Sequence, residues 1–276
     1  AQFFLQHSAG GLLWWLGERT FNAGTPGIAR IDWYGRELLR PYATFPHPNV
    51  LGGFLAAVLP LLIYNLQIYK STNLQINGRI KKMYQWFLGV TFVVGIVALL
   101  LTFSRSAIVV GGTAIVVVIA RMKNKKAIIL YSLFIILLVT GLLRTDFQEE
   151  SVVVRHQLNV AALDLWQSSP LFGVGLGNFL VRLPEALPTR TIYFLQPVHN
   201  IYLLLLSEVG VVGFLFFVWF LQKAFRRSFS IWHLALGILL ALGLIDHYPL
   251  SLQQGQLLLT ILLGLTILLR VNPERS

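Results

Sequence analysis

The chain has 276 residues, of which 56% are hydrophobic and only 12% charged, and its formal net charge is +11. Soluble domains carry about twice that share of charge, so an ordinary water-soluble globular protein is excluded, and so much apolar sequence excludes intrinsic disorder. There is no cysteine, hence no disulfide, no Cys-ligated zinc or iron–sulfur site and no thiol nucleophile.

A helix crossing the hydrocarbon core needs about 20 largely apolar residues, and apolar windows predict an all-α, polytopic membrane protein with six spans. The opening stretch 3–16 is too short to cross; it reads as the end of an earlier helix or as an interfacial helix. The chain starts at Ala1 without a recognisable signal peptide, and an N-terminal truncation is expected. Spans follow at 50–69, 84–103, 106–120, 127–143 and 199–222. The last stretch, 231–269, is interrupted by Asp246-His247-Tyr248-Pro249 and reads as two spans rather than one span with a re-entrant pair.

Basic residues orient these spans. Lys70, Arg79, Lys81 and Lys82 lie between the first and second. Arg121, Lys123, Lys125 and Lys126 lie between the third and fourth, Lys223, Arg226 and Arg227 after the fifth, and Arg270 and Arg275 after the last. By the positive-inside rule this side is cytoplasmic. That explains the net charge without nucleic acid. The outer side then holds 1–49, the Phe103-Ser104-Arg105-Ser106 turn, the loop 144–198 and 246–253, all within a single membrane domain. The 144–198 loop is too long for a bare connector. Val154, Leu158, Ala161, Ala162 and Leu165 have helical spacing, which predicts an amphipathic helix over 151–167, on or near the outer surface.

Several outer residues could carry chemistry. Arg105 sits between two spans with no room for a soluble loop. It either snorkels or is held at the interface for a function, since an arginine there is costly and opposes the charge bias. Arg155 on the amphipathic helix fits lipid phosphate, or a diphosphate clamp with Arg105, because guanidinium forks match phosphate oxygens. His199 precedes the fifth span and fits a general base or a helix-end hydrogen-bonding group; Asn200 follows it. Glu208, about nine residues deeper, needs a polar partner on another span or belongs to a proton relay. Asp246 and His247 form a second outer polar pair. His47 and Arg40 lie just before the first span, with Asn49 expected as its N-cap. The Gly173/Gly175/Gly177 run follows a helix and a proline instead of a strand, so it is no dinucleotide fingerprint; it fits tight turns or a close backbone approach to a ligand. No metal-ligand spacing stands out.

In order along the chain stand TFPHPNVLGGFLA, LTFSRSAIV, Trp166-x3-Pro170-x2-GVGLGNF and VHNIYLLLLSEVGVVGF. This set resembles the O-antigen ligase/polymerase family of bacterial envelope glycosyltransferases over roughly residues 36–265. The resemblance implies a helical enzyme of the GT-C type on the periplasmic face of the inner membrane. Its donor would be a glycan on undecaprenyl diphosphate, and its acceptor the lipid A core, another glycan chain or a protein hydroxyl, of which the ligase reaction is preferred. Neither metal nor cofactor is implied. Carried over by position, Arg105 and Arg155 would hold the donor diphosphate and His199 would be the catalytic base, with Arg40, His47, Asn200, Glu208, Asp246 and His247 in support. The rival class is a membrane transporter using Glu208 and Asp246, which discontinuous helices in matching halves would favour.

Overall fold

The computed structural model describes residues 1–33, 35–71, 78–121, 149–187, 196–226 and 229–268. Two compact units divide the chain, Ala1–Asp146 and Phe147–Ser276.

The first unit begins with a lobe that hydropathy alone does not predict. The stretch 3–16 is not one helix: it forms two single turns, α1 (Gln2–Leu5) and α2 (Leu12–Trp15). An antiparallel hairpin follows, β1 (Arg30–Trp33) and β2 (Arg36–Leu39), with Arg30 facing Leu39 and Trp33 facing Arg36. Its signals are local. Charged and apolar residues alternate from Arg30 to Trp33, Gly35 donates its N–H to Asp32 Oδ1 at 2.8 Å, and Arg30 pairs with Glu37 at 2.7 Å. The lobe's apolar centre is small, Phe21, Leu39 and Tyr42, so polar side chains stitch its backbone together. Gln2 Oε1 accepts from the N–H groups of Tyr42 and Ala43 at 2.7 and 2.8 Å.

Three apolar helices complete this unit: α3 (Pro48–Ser71), α4 (Gly78–Leu101) and α5 (Arg105–Arg121). Within α3 the segment Pro48–Leu66, and α4 over its whole length, are long and apolar enough to cross a membrane. At 17 residues, α5 rises about 26 Å. Small residues let these helices close up, as in membrane bundles generally. A Cβ on Gly111 would lie 2.8 Å from that of Ala56, and one on Gly95 would lie 2.6 Å from Leu59 Cδ2. Asn49 is not the N-cap of α3. It lies inside the first turn and donates its backbone N–H to His47 Nδ1 at 3.1 Å.

The second unit contains α6 (Glu149–Ser168), α7 (Phe179–Ala186), α8 (Ile201–Phe225), α9 (Ile231–Leu242), α10 (Tyr248–Ser251) and α11 (Gln253–Leu268). The predicted amphipathic helix is α6, and its stripe is as read. Leu158, Ala161, Ala162 and Leu165 are buried, but against Phe179, Leu183, Val198 and Leu204. That stripe meets protein, not the membrane surface. The span read at 127–143 lies outside the described residues. The last stretch does divide at Asp246 to Pro249, into helices of 12 and 16 residues. These rise about 18 and 24 Å, less than the ~30 Å hydrocarbon core.

Helix α8 is 25 residues long and apolar enough to cross, but it is broken at Gly210, whose φ is 64° and ψ −170°. Such a break frees backbone groups that must find partners. The segment after α6 supplies them. Val211 and Val212 donate to Pro170 and Leu171 at 2.9 and 3.1 Å, and Val174 and Gly175 donate to Ser207 and Glu208, both at 2.9 Å. This explains the glycine run: a Cβ on Gly173 would lie 2.3 Å from Glu208 C, and one on Gly210 would lie 2.3 Å from Leu171 O. Gly210→Ala and Gly173→Ala should therefore each lower the thermal unfolding midpoint in detergent sharply. At Gly177 the φ of +76° has open space around it, so Gly177→Ala should cost only its backbone strain, about 1–2 kcal/mol. Equal midpoints for the three variants would contradict this account of the break.

Candidate functional site

In the second unit a single backbone hydrogen bond joins two distant segments. Asn200 caps α8, its Oδ1 accepting from the N–H groups of Tyr202 and Leu203 at 2.9 and 3.1 Å. The cap fixes the entry of the chain and leaves His199 just outside the helix. Ile201 donates its N–H to Gly243 O at 2.8 Å, which ties the start of α8 to the end of α9. Gly243 leaves the room, since a Cβ there would lie 2.4 Å from Ile201 Cδ1. Three residues after Gly243 come Asp246 and His247.

The tie brings His199, Asp246 and His247 together, each with one ligand-type atom within 4.8 Å of the others. The two imidazoles meet edge to face with centroids 5.2 Å apart. His247 Nδ1 is hydrogen-bonded to Ser251 Oγ, and the backbone N–H of His247 donates to Asp246 Oδ1 at 2.8 Å. His199 Nδ1 is buried and has no hydrogen-bond partner among the described residues. Arg155 joins the cluster from α6, donating from Nη1 to Ile245 O at 3.0 Å.

Burial is the main influence on both imidazoles and favours their neutral forms. It pushes His199 down to about 4, with Asp246 opposing and Arg155 and His247 adding to the fall. His247 is lowered by burial and by Arg155, again against Asp246. Tyr248 is raised, by burial first and then by Asp246. Two imidazoles and a carboxylate are also a donor set that a transition metal takes. Sequence spacing could not reveal it, because 47 positions separate its parts. The Arg155 charge acts on both rings against a cation, while Asp246, the larger charge influence on each, favours one.

Among the described residues, the polar partner of Glu208 is a backbone group and not a side chain of another span. Glu208 is buried, and its Oε1 accepts from Phe179 N at 3.2 Å, capping α7 beside the Gly210 break.

In the first unit Arg105 opens α5 and is half-buried. A cation at a helix N-terminus stands against the macrodipole, so its position is held by other contacts. Thr102, fully buried, accepts the N–H of Ser104 through Oγ1 at 3.2 Å. Phe103 takes a φ of 51° between them. Arg40 clamps this turn, donating from Nε to Thr102 O and from Nη2 to Asn49 Oδ1, both at 2.7 Å. His47 holds the start of α3 through Asn49. The structure thus gathers Arg40, His47 and Asn49 around the Arg105 turn, and Arg155, Asp246 and His247 around His199.

Both clusters draw on a segment similar to known proteins. Residues 90–218 match the O-antigen ligase family model. The match covers a little under half of the chain and bears out the resemblance read from the motifs. Arg105, Arg155, His199 and Glu208 fall inside the O-antigen ligase segment; Arg40, His47, Asp246 and His247 fall outside it. No curated protein and no solved structure matches the chain significantly. The match supports a ligase- or polymerase-type glycosyltransferase role for this polytopic, mostly helical membrane protein.

The buried neutral imidazoles have a consequence for stability. At pH values between about 4 and 6.5 an unfolded histidine binds a proton that folded His199 does not. Stability therefore falls as pH drops through that window and is constant above it. Thermal unfolding midpoints measured from pH 8 to 4 should fall below about 6.5, and the His199→Asn/His247→Asn double variant should flatten the fall. An unchanged slope in that variant would contradict burial of neutral rings.

Proposed function

We propose that the protein transfers a glycan from an undecaprenyl-diphosphate carrier to an acceptor hydroxyl, without a metal, at the periplasmic face of the bacterial inner membrane. The ligase reaction, with the lipid A core as acceptor, is preferred over polymerisation or protein glycosylation. The observation that carries this reading is the grouping of Arg155, His199, Asp246 and His247 at one corner of the second unit. It places a phosphate-type cation, a neutral imidazole and a carboxylate side by side.

Each group has a role in displacement at the sugar C1. The acceptor oxygen bonds to C1, the bond from C1 to the diphosphate oxygen breaks, and undecaprenyl diphosphate leaves with that electron pair. Attack opposite the leaving group inverts the anomeric centre. The acceptor proton passes to His199, whose Nδ1 is buried without a partner among the described residues. Arg155 is assigned the donor diphosphate, and Arg105 of the first unit is assigned it as well, so that guanidinium forks stabilise the charge that develops as the bond breaks. Asp246 stabilises the imidazolium that forms. Donor binding also improves the base. Arg155 depresses His199 in the free protein, and an anion bound to Arg155 offsets that charge.

The Gly210 break gives the transporter reading one observation in its favour, since discontinuous helices form ion sites in transporters. Here the groups freed by the break are occupied by backbone of residues 170–175, which leaves them unavailable to a transported ion. Glu208 likewise spends one carboxylate oxygen on Phe179.

In proteoliposomes with a polyprenyl-diphosphate glycan donor, His199→Ala should lower transfer by about 10²–10⁴-fold. Arg155→Ala and Arg105→Ala should each lower it by about 10²–10³-fold, with membrane insertion unchanged. Full transfer by all three variants would overturn the reading. Substrate flux into sealed vesicles, abolished by Glu208→Gln and without a new glycosidic bond, would establish the transporter instead.

A further inference from the structure

The eight residues from Gly10 to Gly17, Gly-Gly-Leu-Leu-Trp-Trp-Leu-Gly, carry no charge. They form the tip of the N-terminal lobe around α2, in which no residue is buried. Leu12 is 84% exposed, Trp15 79% and Leu16 69%. Five consecutive bulky apolar side chains turned outward mark a surface that meets something other than water.

The tip is built rigidly. At its base Glu18, itself buried, accepts the backbone N–H groups of Ala9 and Gly10 at 2.8 and 2.6 Å and donates its own N–H to Leu13 O at 2.9 Å. Within the tip, Leu13, Trp14, Leu16 and Gly17 donate their N–H groups to Gly10, Gly11, Leu13 and Trp14. Trp14 and Trp15 pack edge to face, 5.2 Å apart. Most of the tip's backbone donors thus find partners within the lobe, which lowers the cost of entering lipid.

The attachment of the lobe fixes its level. Phe3 of α1 and Trp33 of β1 both pack on Phe103, at centroid distances of 5.8 and 5.3 Å. Phe103 follows the end of α4, a helix able to cross the membrane. The lobe therefore sits where a span leaves the hydrocarbon.

We propose that the 10–17 tip inserts into the headgroup–acyl boundary of the leaflet in which α4 ends, anchoring the lobe, and the Arg105 turn below it, to the lipid surface. Tryptophan suits that boundary, with an apolar ring and one N–H donor for the polar layer. The partner is the bilayer itself and not a second protein: the patch offers neither charges nor side-chain acceptors to a protein surface, and its lobe is attached through Phe3 and Trp33 to Phe103, at the end of a helix able to cross the membrane.

The absence of cysteine makes the test direct. Leu12→Cys in the full chain supplies a single thiol for a nitroxide label, and the protein is reconstituted in phosphatidylcholine/phosphatidylglycerol vesicles. Arg36→Cys, on the exposed edge of the hairpin, is the aqueous control. Collision with oxygen should exceed collision with a water-soluble nickel chelate several-fold at position 12, with the reverse at position 36. Nickel-dominated collisions at position 12 would overturn the proposal, as would protection from both reagents, which would mean that protein covers the tip. Leu16→Cys repeats the measurement should the first variant not fold.

Discussion

The candidate site depends on one hydrogen bond, from the Ile201 N–H to the Gly243 carbonyl. It joins the start of one helix to the end of another, and both ends carry ionisable residues. Asn200 makes the join possible by capping α8 through its side chain, which leaves His199 outside the helix and turned toward Asp246 and His247. Glycine at 243 is required by the approach of Ile201. Without the join, two imidazoles and a carboxylate would be unrelated residues of an apolar chain.

A second constraint acts further along α8. A helix interrupted in an apolar environment must have its backbone groups satisfied by protein, and residues 170–175 do this at Gly210. The break thereby pins the segment that links α6 to α7, and Glu208 adds a side-chain bond to the same place. Helix α6 is held by this segment at one end and by its buried stripe along its length, which sets the position of Arg155. The glycine run, read from the sequence as tight turns or a close approach to a ligand, and the buried acid, read as a paired group or a proton relay, both take part in this scaffold.

What could be read from the sequence follows from the range of each signal. Helical spacing identified α6 and its stripe residue by residue, because periodicity is a local property. It could not say whether protein or lipid meets that stripe. Hydropathy located α3, α4, α5, α8 and the divided last stretch, but not the Gly210 break, which is dictated by contact with a loop 35 or more positions away. The hairpin was locally legible, in its alternation and in Gly35, yet it was overlooked beside the stronger apolar signal. Of the site residues, Arg155, His199, Asp246 and His247 were each visible as polar residues in outer segments, while their meeting depends on the 201–243 join. The hydrogen bonds of Arg40 to the turn before Arg105 were likewise beyond any spacing argument.

The central proposal is that the Arg155 guanidinium holds a lipid diphosphate beside the His199 imidazole. A structure of the full chain in lipid nanodiscs with a polyprenyl-diphosphate glycan bound tests it most directly. The account predicts phosphate oxygens within hydrogen-bonding distance of the Arg155 guanidinium and the sugar C1 facing His199. A diphosphate bound away from Arg155, or a sugar beyond the reach of His199, would contradict it.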